Sequence, residues 1–124
     1  MQIKVLVVED DGLIAADYKT TILNRGWQVL GPAATADQAL GLLKDDTPTV
    51  AILDLMLRRG LSTPVAEALN IQGIPFILAS GCADAMAIGG AAFRGIDNLG
   101  KPSSPDELVN ALETAIAKFR RRVN

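Results

Sequence analysis

The sequence predicts an α/β domain in which a parallel sheet is covered by helices on both faces. Short runs at residues 2–8, 49–57 and 74–79 are apolar almost throughout rather than alternating, as strands buried on both faces are. Between them lie segments whose apolar residues return at helical spacing. Five such strand–helix units follow one another in strict alternation, and right-handed crossovers then make the strands parallel. With 124 residues, about half of them apolar, the chain can bury one core without staples.

The elements follow in order. Gln2–Val8 is the first strand and ends in Glu9-Asp10-Asp11. Asp11 is placed to cap a helix over roughly 12–25, in which Ile14, Tyr18 and Ile22 share a face and which Gly26 ends. Trp27–Leu30 forms a second short strand, closed by Gly31-Pro32. Thr35 and Gln38 have capping-box spacing and open a helix with Ala36, Ala39, Leu40 and Leu43 inward. After the turn Asp45-Asp46-Thr47-Pro48 comes the third strand, whose apolar run is interrupted by one carboxylate, Asp54. An ionised aspartate inside a buried strand is costly, so Asp54 is expected at the carboxyl end, facing a crevice.

Beyond Arg58-Arg59-Gly60, Thr63-Pro64 reads as an N-cap followed by proline at the first helical position. A short helix with Val65, Ala68 and Leu69 inward ends near Gly73. Strand four, Ile74–Ala79, delivers Ser80-Gly81. Residues 82–93 read as a weak helix because of Gly89-Gly90, and Arg94–Leu99 as strand five, leading to Lys101-Pro102. Ser104-Pro105-Asp106-Glu107 combines a cap, an N1 proline and an N3 glutamate. The helix that follows carries a stripe of Leu108, Ala111, Leu112, Ala115, Ile116 and Phe119.

Composition excludes several chemistries. There is no histidine, and hence no Ser-His triad, no His-ligated zinc and no phosphohistidine on this chain. The single cysteine, Cys82, excludes an internal disulfide and suits a reducing compartment. The net charge of −2 argues against direct nucleic-acid binding. No run approaches the roughly 18 apolar residues of a membrane span, and Met1-Gln2-Ile3-Lys4 leads directly into a strand without the pattern of a signal peptide. The expectation is a cytoplasmic protein of one domain, 1–124, with no output domain.

In an open doubly wound sheet, functional groups collect beyond the strands' carboxyl ends. Four of the five ends here carry one: Glu9-Asp10, Asp54, Ser80 and Lys101. Singly, Glu9 and Asp10 could be capping acids, Ser80 a turn residue and Lys101 a surface cation; their joint occurrence favours a site. Two carboxylates about 4 Å apart repel by about 4 kcal/mol at an effective dielectric near 20, so an acidic cluster calls for a hard divalent cation such as Mg²⁺. Such a site, with a free carboxylate, a lysine and a hydroxyl, is equipped for phosphoryl transfer.

The motifs Val7-Val8-Glu9-Asp10-Asp11, Ile52-Leu53-Asp54-Leu55, Leu78-Ala79-Ser80-Gly81 and Lys101-Pro102, in this order and spacing, resemble those of response regulator receiver domains over the whole chain. The resemblance implies the flavodoxin-like (βα)5 fold of the CheY-like superfamily, with strand order 2-1-3-4-5. It implies that Asp54 is the phosphoacceptor and that Glu9, Asp10, Asp54 and the Met56 carbonyl hold Mg²⁺. Ser80 would be the switch hydroxyl and Lys101 the partner of the phosphoryl group. The donor would be a sensor histidine kinase or a histidine phosphotransfer protein, and the output a downstream protein target. Neither nucleic acid nor membrane is an expected direct partner. Homodimers would form through the face of the fourth helix, fifth strand and fifth helix. The domain would not be an enzyme beyond gaining and losing its own phosphoryl group.

The sequence departs from the family pattern at Asn98, where an aromatic is usual, at Arg58, where proline is common, and at Ser103, where an aromatic often follows. These departures, with Gly73-Ile74-Pro75-Phe76-Ile77, resemble a divergent group of stand-alone receivers. Met56 and Cys82 occupy positions that in the family influence phosphoryl lifetime. Arg58-Arg59 is either a solvated loop or a draw for an anionic phosphodonor. Lys118, Arg120, Arg121 and Arg122 complement the last helix's dipole or form a patch for an acidic partner.

Three other functions compete with the switch. A binding module that no longer takes phosphate would have no use for the complete set of acids, hydroxyl and lysine. A metal-dependent phosphatase or nuclease of haloacid-dehalogenase or Toprim type wants a second carboxylate two residues past Asp54, where Met56 stands. An FMN phosphate would be repelled by the three acids of the first loop.

Overall fold

The computed structural model describes residues 2–82, 84–101 and 103–123. Met1, Ala83 of the expected fourth helix and Pro102 of the Lys101-Pro102 motif lie outside them. In chain order the elements are β1 (Lys4–Val8), α1 (Gly12–Asn24), β2 (Gln28–Ala33), α2 (Ala36–Asp45), β3 (Val50–Leu53), β4 (Met56–Leu57), β5 (Gly60–Leu61), α3 (Thr63–Gln72), β6 (Phe76–Leu78), α4 (Ala85–Gly89) and α5 (Pro105–Val123), with a 3₁₀ turn at Ala91–Phe93. The four main strands are parallel in the order β2-β1-β3-β6. This is the α/β architecture with the expected order along the sheet.

Alternation along each strand divides the core in two. Leu6, Val8, Ala51, Leu53 and Leu78 point to one face, beneath α2, α3 and Phe93. Val5, Val7, Val50, Ile52 and Ile77 point to the other, where Tyr18 and Ile22 of α1 and Leu108, Leu112 and Ile116 of α5 close over them. Each such large apolar side chain, removed from water, contributes about 1.5–3 kcal/mol of transfer free energy. The sheet is therefore held from both sides, and its register is stiff where the site begins.

Local signals set the helix starts. Asp11 caps α1 by accepting from the amides of Leu13 and Ile14 at 3.0 and 3.1 Å. Thr35 caps α2 through the Gln38 amide at 3.1 Å. Ser104 and Glu107 form the reciprocal capping box of α5, at 3.1 and 3.0 Å. Thr63 is not a cap: Ser62 holds that position with its hydroxyl turned to the Leu55 carbonyl at 3.4 Å rather than to a helix amide, and the Thr63 hydroxyl donates to the Gly89 carbonyl at 2.9 Å. The second strand runs past Gly31-Pro32 to Ala33, because an edge strand tolerates a proline without a donor.

Two regions depart further. The expected fifth strand is reduced to one parallel bridge, Leu78 to Asn98, framed by Leu78 N–H donating to Asp97 O at 2.9 Å and Leu99 N–H donating to Leu78 O at 2.7 Å. Gly95 and Gly100, both at positive φ, bracket Asp97 and Asn98, so poor strand formers fill the segment and the ladder stops after one rung. The fourth helix shortens to five residues, and Gly90, at φ 92°, turns the chain into the 3₁₀ turn. A Cβ on Gly89 would run into the Phe93 ring and the Leu55 side chain, so only glycine lets this segment lie against the core.

Burial pushes the phenol of Tyr18 up to about 12, with the nearby Lys101 pulling it down slightly and the Glu9 and Asp54 carboxylates adding to the rise. In the unfolded chain the same phenol ionises near 10. Its stabilising contribution is therefore complete below pH 10 and is lost as pH rises from about 10 to about 12, by on the order of 2 kcal/mol. Tyr18 is the chain's one tyrosine. Its phenolate absorbance should therefore titrate in a single step near 12, and Tyr18→Phe should flatten the fall in denaturation midpoint over that range.

Candidate functional site

Strand register places the site. Val8, Leu53 and Leu78 pair across the sheet, with Asn98 bridged to Leu78. The next residue on each segment is Glu9, Asp54, Ala79 and Leu99, so the four segments reach the carboxyl edge of the sheet in one row. Backbone bonds continue past them: Asp54 N–H donates to Val8 O and Glu9 N–H to Ala33 O, each at 2.9 Å. Asp10 and Asp54 stay partly exposed at this edge.

Three acids meet there. One oxygen each from Glu9, Asp10 and Asp54 lies within 4.8 Å of the others, the cluster of potential metal ligands found among the described residues. Glu9 is 3% exposed, while Asp10 and Asp54 are half-buried. The Lys101 ammonium donates to Glu9 Oε1 at 2.6 Å and to Asp54 Oδ2 at 2.9 Å, bridging the two strand ends. Glu9 Oε2 accepts from the Asp11 amide at 3.1 Å, so both its oxygens are engaged.

Burial raises the pKa of Glu9; the bonds from Lys101 and the Asp11 amide oppose the rise, and the charge of Asp54 adds to it. Burial also works against the charge on Lys101, but its bonds to Glu9 and Asp54 outweigh that and hold the ammonium above its ordinary value. The pair is thus a buried acid whose burial penalty is partly offset by a cation that it helps to keep protonated. With every group ionised, the three carboxylates outnumber the cations beside them, the Lys101 ammonium and the Arg58 guanidinium at the rim, and the remaining negative charge suits a hard divalent ion.

Of the remaining residues singled out by sequence, Ser80 is buried just beyond β6, and its Oγ accepts from the Cys82 amide at 3.1 Å. Met56 is exposed and opens the β4–β5 hairpin two residues past Asp54, pairing with Leu61. Glu9, Asp10, Asp54 and Lys101 are brought into one cluster, and Ser80 stands on the neighbouring strand end.

Two groups at the rim were not legible as site components. The backbone amide of Arg58, at the tip of the hairpin, donates to Asp10 Oδ2 at 2.7 Å, with its guanidinium Nε 3.6 Å from the same oxygen. A backbone donor leaves no trace in sequence. Asn98 binds the Ser80 loop and the turn before Lys101 together through its side-chain amide. Its type marked it as a departure from the family pattern, but not what it would hold.

No protein-family model matches the chain. Among curated proteins, it is 27% identical over 119 residues to the transcriptional regulatory protein PdtaR of Mycobacterium tuberculosis, covering 94% of this chain and 58% of that one. The chain spans about half the length of the curated relatives it matches. Among solved structures, the receiver domain of the Francisella response regulator 1452 matches at 27% identity and TM-score 0.76, covering 94% of this chain and 98% of that one. A CheY-like response regulator receiver domain from Methanospirillum hungatei matches at TM-score 0.84 over 98% of this chain and 99% of that one; at 22% identity it speaks for the fold alone.

Removing the cation should expose what it balances. Lys101→Met without added metal is expected to cost about 1–3 kcal/mol at neutral pH in urea denaturation, since the Glu9 carboxylate loses its partner. Glu9→Gln in the same background should recover most of that loss. The loss should also shrink as pH falls toward the raised pKa of Glu9, because the protonated acid needs no counter-charge.

Proposed function

We propose, on the premise that the chain is a receiver domain of the response-regulator type, that Asp54 accepts a phosphoryl group and that its phosphorylation switches contacts with a downstream protein. The donor in this reading is a phosphohistidine on a sensor histidine kinase or histidine phosphotransfer protein. The observation that carries the reading is the Glu9–Lys101–Asp54 ion-paired cluster beside Asp10, at the carboxyl ends of neighbouring strands.

In the proposed reaction an Asp54 carboxylate oxygen bonds to phosphorus as the phosphorus–nitrogen bond to the donor imidazole breaks. Lys101, already on Asp54 Oδ2, is placed to neutralise charge on the phosphoryl oxygens. The Ser80 oxygen accepts from the Cys82 amide, which leaves its proton for a phosphoryl oxygen. The acids suit Mg²⁺: Asp10 and Asp54 would be ligands, with Glu9, engaged at both oxygens, acting through water, and the Met56 carbonyl would complete the protein's share. When bound, the ion supplies charge neutralisation of the transferring group. A groove between α1 and the first turn of α5, lined by Ile14, Tyr18, Leu108, Val109 and Lys101, opens beside the cluster. This apolar border supports docking of the donor protein there. Among the described residues no helix is long and apolar enough to cross a membrane.

Incubation with acetyl phosphate and Mg²⁺ should add one phosphoryl group by intact mass, and Asp54→Asn should add none. Lys101→Met should slow the gain by about 10²-fold. A native chain that stays at its starting mass would remove the basis of the proposal.

Mg²⁺ itself should stabilise the fold, by about 2.7 kcal/mol at 100 times its Kd. Thermal denaturation should show this shift lost in Asp10→Asn. The shift should also shrink as pH falls through the raised pKa of Glu9, because protons remove the charge that the ion balances.

A further inference from the structure

We infer that Asn98 is a positioning residue that sets where the Ser80 hydroxyl and the Lys101 ammonium stand relative to Asp54; this rests on the phosphoacceptor reading above. Its Oδ1 accepts from the Ser80 amide at 3.1 Å and from the Gly100 amide at 3.0 Å, while its Nδ2 donates to the Cys82 carbonyl at 2.7 Å. One side chain thus grips the loop that carries Ser80 at two points. It also grips the backbone next to Lys101 at a third.

Among the described residues, no backbone bond of the sheet beyond Leu99 fixes that spacing. The segment carrying Asn98 joins β6 through a single bridge at Leu78, and its last rung is Leu99 N–H to Leu78 O. Beyond that rung the two chains run as Ser80-Gly81-Cys82 and Gly100-Lys101, with Gly100 at φ 81°. The Asn98 amide takes the place of the ladder there. Asn98 is exposed and fills no core space, so its three bonds rather than its volume are what the position uses. Donor and acceptor are both required, since Oδ1 serves two amides and Nδ2 serves a carbonyl.

The consequence is that the hydroxyl loop and the lysine turn move as one unit. A phosphoryl group on Asp54 that draws Ser80 inward must carry the 98–100 turn with it. Transfer depends steeply on where such groups stand, and Asn98 touches neither phosphorus nor metal ligand.

The test compares the native chain with Asn98→Leu, similar in size without the bonds, and Asn98→Asp, which keeps the two acceptor bonds and loses the donor. Phosphoryl gain from acetyl phosphate, phosphoryl loss, Mg²⁺ affinity and amide exchange are measured on each. Asn98→Leu should slow the gain by about tenfold with Mg²⁺ affinity within about twofold of native, and Asn98→Asp should recover part of the rate. Exchange should quicken at the Ser80 and Gly100 amides in Asn98→Leu. A native rate in Asn98→Leu would overturn the role of Asn98 while leaving Asp54 as acceptor. A parallel fall in Mg²⁺ affinity would overturn it too, by making Asn98 a general support of the pocket. A native chain that takes no phosphoryl group would overturn both readings together.

Discussion

The ammonium of Lys101 sits between Glu9 and Asp54, and the carboxyl edge of the sheet depends on that placement. Three acids gathered at adjacent strand ends repel one another, and the most buried of them, Glu9, is also the one most penalised by loss of water. Lys101 comes from 92 residues away in the chain to meet it. That meeting requires β1, β3 and β6 to end in register and the final turn to bring the lysine back across them. Stiffness in the core therefore serves a charge balance at its rim.

The rim is built mostly by backbone and short polar side chains. The hairpin after Asp54 folds back so that its own amide holds Asp10, and Asn98 ties the Ser80 loop to the Lys101 turn. Each acid is thereby oriented by a neighbour from another segment. An acidic pocket assembled this way has its charge only partly balanced by its own cations, which is the chemistry that suits a hard divalent ion.

A second set of contacts leads away from the pocket. Leu55, next to Asp54, lies against Gly89 at the end of α4, and Phe93 packs edge-on against Phe76 of β6. Thr63 and Asn70 of α3 bond the carbonyls of Gly89 and Ala92. The short α4 and the 3₁₀ turn are thus fastened to α3 by two side-chain bonds, and to the core by the Gly89–Leu55 contact and the buried Phe93 ring, rather than by a long helical face.

Much of this could be read from residue order alone. Continuous apolar runs marked the buried strands, while Asp11, Thr35 and Ser104 with Glu107 marked helix starts that the structure bears out, because caps and burial patterns are local chemistry. Glu9, Asp10, Asp54, Ser80 and Lys101 were likewise visible as polar groups ending apolar runs. What only the tertiary structure decided is who meets whom: Lys101 with Glu9 and Asp54 at once, the Arg58 amide with Asp10, Thr63 with Gly89, and Asn98 in place of a fifth-strand ladder. These are contacts between remote segments, several made by backbone atoms that every residue carries. Their physical origin is strand register and loop path, which no spacing along the chain encodes.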